Sequence, residues 1–155
     1  MNDTILQDHD LQARLAKAAA ACESRFQDLL RGTVGRLVVD PVAAEDALLT
    51  GALPVGDTLV VMRLNPQTDQ VEFFADIGLP PDHQVQEAYR AVLEMNLCRT
   101  HHGVTFGVHP ESGRLVATQA AHALVIADED VSIGIVTRLA RLSQDLREGR
   151  EVPIA

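Results

Sequence analysis

Three histidines offer the most obvious chemistry: His101 and His102 stand side by side, and His109 follows shortly after. Three imidazoles are the protein ligands of some catalytic zinc sites. Adjacent side chains on an extended chain point to opposite sides, however, and His109 precedes a turn proline, where exposed polar residues are ordinary. All three read as surface histidines. Cys98 would need a base to act as a nucleophile, and His101 is near it in sequence, but nothing else completes such a site. A buried or half-buried thiol at a helix end is expected instead. Glu45-Asp46, Glu94 and Glu129-Asp130 supply carboxylates, yet no spacing pairs two of them as acid and base. They read as caps and solvated faces. Gly32-Thr-Val-Gly35 lacks the GK[ST] ending of a phosphate loop and follows a helix, so it reads as a helix stop. No catalytic residue, metal or cofactor is expected, and the chain does not read as an enzyme.

Composition narrows the remaining classes. The 155 residues suit one domain, with residues 1–9 and 150–155 as loose tails. Apolar residues make up 46 %, mostly Ala, Val and Leu, with four Phe, one Tyr and no Trp. The core is therefore aliphatic, and base-stacking platforms are not expected. The formal charge of −9, from 22 acidic and 13 basic residues, argues against a nucleic-acid partner. No apolar run approaches the ~20 residues of a membrane span, and an acid near the start argues against an export signal. The two cysteines, Cys22 and Cys98, follow no CxxC pattern, and both are expected reduced in a cytosolic setting.

The elements that must position these residues follow from periodicity. Leu11 to Arg31 reads as a helix with Asp10 as N-cap and Gly32 as stop, its stripe running through Leu15, Ala18, Cys22, Phe26 and Leu29. From Thr33 to Gly56, glycines and prolines punctuate short apolar runs, Leu37-Val-Val39 and Leu48-Leu49, and one short strand is expected. Asp57 to Asp76 reads as a hairpin turning at Asn65-Pro66-Gln67-Thr68-Asp69. With Asn65 opposite Gln70, Val60, Met62, Leu64, Val71, Phe73 and Ala75 share one face. Leu59, Val61, Arg63, Glu72, Phe74 and Asp76 share the other, with Arg63 facing Glu72. Gly103 to Gln119 repeats this grammar around His109-Pro110-Glu111-Ser112-Gly113. A connection from Ala120 to Ala127 leads to a last helix capped by Asp128-Glu-Asp130 and ended by Gly149. The order α-β-β-β-α-β-β-α, an antiparallel sheet flanked by three helices, is an α+β domain.

Helix 84–97 is the unusual element. Val85, Ala88, Tyr89, Val92, Leu93 and Met95 cover an arc of roughly 160°, wider than the ~100° stripe of a helix buried on one side, and Leu97 widens it further. A second copy of the chain is the natural second neighbour, so a homodimer is expected. Leu59, Val61, Phe74 and Val116 also lack an obvious internal use. Either the chain's own loop or a dimer covers them, or they form an apolar surface beside a strand edge that suits an extended peptide.

At this point the sequence resembles a known family. Leu93-Glu-Met-Asn-Leu97, a Gly-containing bend, Gly107-Val-His-Pro-Glu-Ser-Gly-Arg-Leu-Val116 and a capped amphipathic last helix look like the class I type III secretion chaperones, the Tir-chaperone family. The match is good over Val92 to Gly149 and looser back through Val71-Glu-Phe-Phe-Ala-Asp-Ile-Gly-Leu79. Cys98, the long stretch from Thr33 to Gly56 and the proline-free connection at 120–127 depart from the family pattern. The resemblance implies a homodimer in the bacterial cytoplasm that holds the N-terminal segment of a secreted effector in extended form and keeps it secretion-competent. It assigns the dimer contact to Tyr89, Val92, Leu93 and Leu97. It implies effector contacts at Leu15, Phe26, Leu59, Val61, Phe74 and Val116. The alternative is a dimeric adaptor domain that binds a folded protein partner.

Overall fold

The computed structural model describes residues 3–98, 101–123 and 128–150, with side chains from residue 8 onward. Helix α1 (Asp3–Leu37) is followed by α2 (Pro41–Thr50) and the strands β1 (Ala52–Val55), β2 (Thr58–Asn65) and β3 (Gln70–Gly78). A single 3₁₀ turn, Asp82–Gln84, leads into α3 (Val85–Cys98); β4 (Thr105–Val108), β5 (Leu115–His122) and α4 (Glu129–Arg147) complete the chain. The five strands form one antiparallel sheet in the order β1-β2-β3-β5-β4. The expected α+β class with an antiparallel sheet is what the chain adopts.

The first hairpin has the expected register: Asn65 lies opposite Gln70 and Arg63 opposite Glu72, with Asp69 in the left-handed region at φ 56°. Period-two alternation therefore sends Val60, Met62, Val71, Phe73 and Ala75 inward, where all are buried. The inner face is covered by α4, which lies over β2, β3 and β5 and is itself crossed by α1. The bulge sits between Asp76 and Gly78, where β3 meets β5, and it leaves Ile77 in the core. Asp128 caps α4 by accepting from the Asp130 N–H at 2.9 Å, as its sequence suggests.

The N-terminal region differs from expectation in three respects. Helix α1 begins at Asp3, within the stretch read as a loose tail, and it runs through Gly32 to Leu37. Gly32 does not stop it because the buried stripe of Phe26, Leu30 and Val34 continues past that point. A Cβ at Gly32 would meet the Glu129 carboxylate, the movable end of a side chain on α4. Residues 8–21 are all exposed, so this half of α1 projects beyond the core.

The other difference is a fourth helix, α2, where apolar runs suggested strand. Asp40 accepts from the Ala43 N–H at 3.0 Å, Pro41 occupies the first turn, and Gly51 closes the helix at φ 75°. A Cβ at Gly51 would lie 2.4 Å from the Met62 carbonyl oxygen, so only glycine can end α2 and begin the β1–β2 ladder here. The one strand expected between 33 and 56 is β1. The connection expected from Ala120 is still strand as far as His122 and turns at Ala123, and its residues 124–127 lie outside the described residues.

Candidate functional site

The residues with catalytic potential are dispersed. His101 packs edge-on against Phe106 with ring centroids 5.8 Å apart, and burial, then Arg138, pushes its pKa down. His102 is exposed in the turn before β4, and His109 lies at the opposite end of that strand. Among the described residues no three His, Cys, Asp or Glu side chains group as metal ligands. Cys98 is exposed rather than half-buried, because it ends α3 on the side away from the core. Cys22 is the buried thiol; it donates to the Asp69 carboxylate, which pins the β2–β3 turn to α1. That hydrogen bond, then burial and the Asp69 charge, raises the thiol pKa, the opposite of what a nucleophile requires. The carboxylates serve ion pairs: Glu94 with Arg90 at 2.8 Å, and Glu129 and Asp130 with Arg36.

What the fold assembles is an apolar surface. On the sheet face opposite α1 and α4, Val61 pairs with Phe74 across β2 and β3, and Val116 of β5 sits opposite Asp76. These residues and Leu59 line one groove of about 570 Å³, with Val108, Pro110 and His109 at its β4–β5 end. Leu59 is 46 % exposed, and Val61, Phe74 and Val116 are half-buried. Charges frame this row. Arg63 donates to Glu72 at 3.1 Å and its guanidinium lies over the Phe74 ring at 5.0 Å. Arg114 donates through Nε to both Asp76 oxygens, at 3.0 and 3.1 Å. Four residues singled out from the sequence are thus brought together.

The remaining two go elsewhere. Leu15 is exposed on the projecting half of α1, while Phe26 packs in the chain's own core at 8 % exposure. Helix α3 divides its wide apolar arc. Val92 is buried at 5 % and faces the chain's own core, with Ala88, Tyr89 and Met95 packed partly against it. Leu93 and Leu97 face outward at 67 % and 83 % exposure.

The fold thus joins a strand-built apolar groove on one sheet face to an outward apolar edge on α3. Residues 28–126 match the Tir chaperone protein (CesT) family, and the chain belongs to that family of chaperones. No curated protein matches the sequence. Among solved structures, the chain is similar to the crystal structure of the ExsC–ExsE complex. The TM-score is 0.63 at 14 % identity, over 81 % of this chain and 92 % of the other. At that identity the likeness is one of fold. Among the described residues no helix is long and apolar enough to cross a membrane.

Proposed function

We propose that the chain is a type III secretion chaperone of the bacterial cytoplasm. Two copies associate through α3, and the dimer holds the N-terminal segment of a secreted effector in extended form, which keeps it secretion-competent. The observation that carries this reading is the groove of Leu59, Val61, Phe74 and Val116, apolar side chains that the chain's own core does not use. Membership of a chaperone family supports it, as does a fold neighbour described in complex with a second protein. Leu93 and Leu97, with Tyr89 at their margin and Val92 supporting them from within, form the dimer contact. Leu15 on the projecting part of α1 adds a second effector contact. The function involves no covalent step and no nucleotide.

Two measurements test this. Leu93→Asp places a charge in the proposed contact and is expected to convert a dimer to monomer or aggregate by analytical sedimentation. An unchanged dimer removes α3 from the interface. For the client, the N-terminal segment of the secreted protein encoded next to this gene is mixed with the chain and digested with protease. A short protected segment that lacks a fold of its own is expected. Binding that requires a folded partner would favour the adaptor reading instead.

A further inference from the structure

Helix α2 turns its smallest side chains inward and its bulky apolar ones outward. Ala43 and Ala44 pack against the core and Ala47 is fully buried in it. Val42 and Leu49 are 75 % and 81 % exposed, and Val39, just before the Asp40 cap, is 95 % exposed. A helix that serves only its own chain has the reverse order, with its bulky apolar residues on the buried stripe. At 100° per residue Val42 and Leu49 lie within about 20° of each other and about 10 Å apart along the axis. Glu45 lies about 60° to one side of Val42 and Asp46 about 40° to the other, so carboxylates flank the row. Acids on the other helices pair with an arginine one turn away: Asp10 with Arg14, Asp28 with Arg31, Glu94 with Arg90. Within α2 no such pairing is possible. Between Arg36 and Arg63 the chain carries Asp40, Glu45, Asp46 and Asp57 and no Lys, Arg or His.

We propose that the outer face of α2 docks a cationic amphipathic helix of a second protein. The proposal is independent of the chaperone reading and uses neither the groove nor α3. The backbone of α2 is hydrogen-bonded within the helix, so a partner meets it through side chains. The seven-residue spacing of Val42 and Leu49 is the repeat at which two packed helices meet. The partner's apolar row seats against Val39, Val42 and Leu49, and Lys or Arg on both sides of that row face Glu45 and Asp46. Helix α2 has ten residues, so the contact is about 15 Å long, nearly three turns of the partner. Charge disfavours the other occupants. A second copy of the chain on a twofold axis would set Glu45 and Asp46 against their own counterparts, like against like. The same carboxylates repel nucleic acid and anionic membrane surfaces.

The probe is a synthetic helical peptide of about fourteen residues, two heptads, with leucine along one face, lysine on both sides of it and alanine elsewhere. In its twin every lysine is glutamate. Each is titrated into the ¹⁵N-labelled full chain. The lysine peptide is expected to shift the amide signals of Val39, Val42, Glu45 and Leu49 and to bind at least about tenfold tighter than its twin. Raising the salt from about 0.05 M to about 0.5 M should weaken it severalfold. The double variant Val42→Ser, Leu49→Ser changes only exposed side chains and is expected to keep the fold and weaken binding by about tenfold. Glu45→Gln with Asp46→Asn is expected to remove the preference for lysine over glutamate. Equal binding of the two peptides would overturn the proposal, as would shifts confined to Leu59, Val61, Phe74 and Val116. So would binding that Val42→Ser, Leu49→Ser leaves intact, or no binding of the lysine peptide at about 1 mM. A change in the sedimentation of the chain alone on Val42→Ser, Leu49→Ser would give the face to a second copy and overturn it as well.

Discussion

Phe73 and Phe74 are neighbours in sequence and differ completely in surroundings. Phe73 faces α4 with Val60, Met62 and Val71 and is fully buried. Phe74 faces outward beside Val61, under the Arg63 guanidinium, and is only half-buried. An antiparallel sheet covered on one side usually alternates apolar-in with polar-out. Here β2 and β3 also place Leu59, Val61 and Phe74 on the outer face among the charges, and only the inner face has a helix layer to bury it. The comparison separates two placements of the same residue type, one that holds the fold and one that stays on the outer surface.

The sharpest way to break that comparison is to truncate each ring in turn. Phe73→Ala is expected to cost about 3–5 kcal/mol in urea unfolding, the usual range for a buried aromatic. Phe74→Ala is expected to cost less, about 1–2 kcal/mol, because its ring is only partly buried and has no helix layer over it. Equal costs would mean that the outer row is core and is not available to a client.

The two faces were legible in the sequence because a proline turn set the hairpin register and period two did the rest. The outward apolar edge of α3 was legible from its arc, for Leu93 and Leu97 fall outside the stripe that Val92 centres. Helix α2 was missed although its signals were present. Asp40, Pro41 and Gly51 are an N-cap, a first-turn proline and a C-terminal glycine, residue types that punctuate loops equally well. The length of α1 is masked by Gly32, a residue type that commonly ends helices, although the apolar spacing continues through Val34. The tie between Asn96 and Phe106 is not readable from sequence, since the two meet only when α3 packs against β4.

A smaller effect tests whether the outer charges frame the groove or hold the fold. The Asn65 side chain donates to Glu72 at 3.0 Å; this bond first, and Arg63 second, holds the Glu72 carboxyl below its ordinary range against the opposing effect of burial. Its folded pKa is lowered, so its contribution to stability is present above the ordinary glutamate value and is lost as pH falls through the folded one. Urea midpoints followed from pH 6 to pH 3 should therefore fall less steeply in Glu72→Gln than in the parent. The difference should stay below about 1 kcal/mol, as for other partly exposed pairs. A larger difference would move this pair from the rim of the groove into the framework of the fold.

The smallest predicted effect lies on the sealed side. Two α4 serines are fully buried. Ser132 shares a hydrogen bond with Thr33 at 3.0 Å where α1 crosses α4, whereas Ser143 Oγ has no partner among the described residues. A buried hydroxyl without a partner has lost its hydration and gained nothing in return. Ser143→Ala is therefore expected to be neutral or slightly stabilising, by up to about 1 kcal/mol, while Ser132→Ala takes a partner from Thr33 and destabilises by about 1 kcal/mol. Thermal unfolding of the two variants side by side makes the comparison. Should Ser143→Ala prove the more damaging, its hydroxyl has a partner after all, and the helix layer over the inner face is packed differently from the arrangement described above.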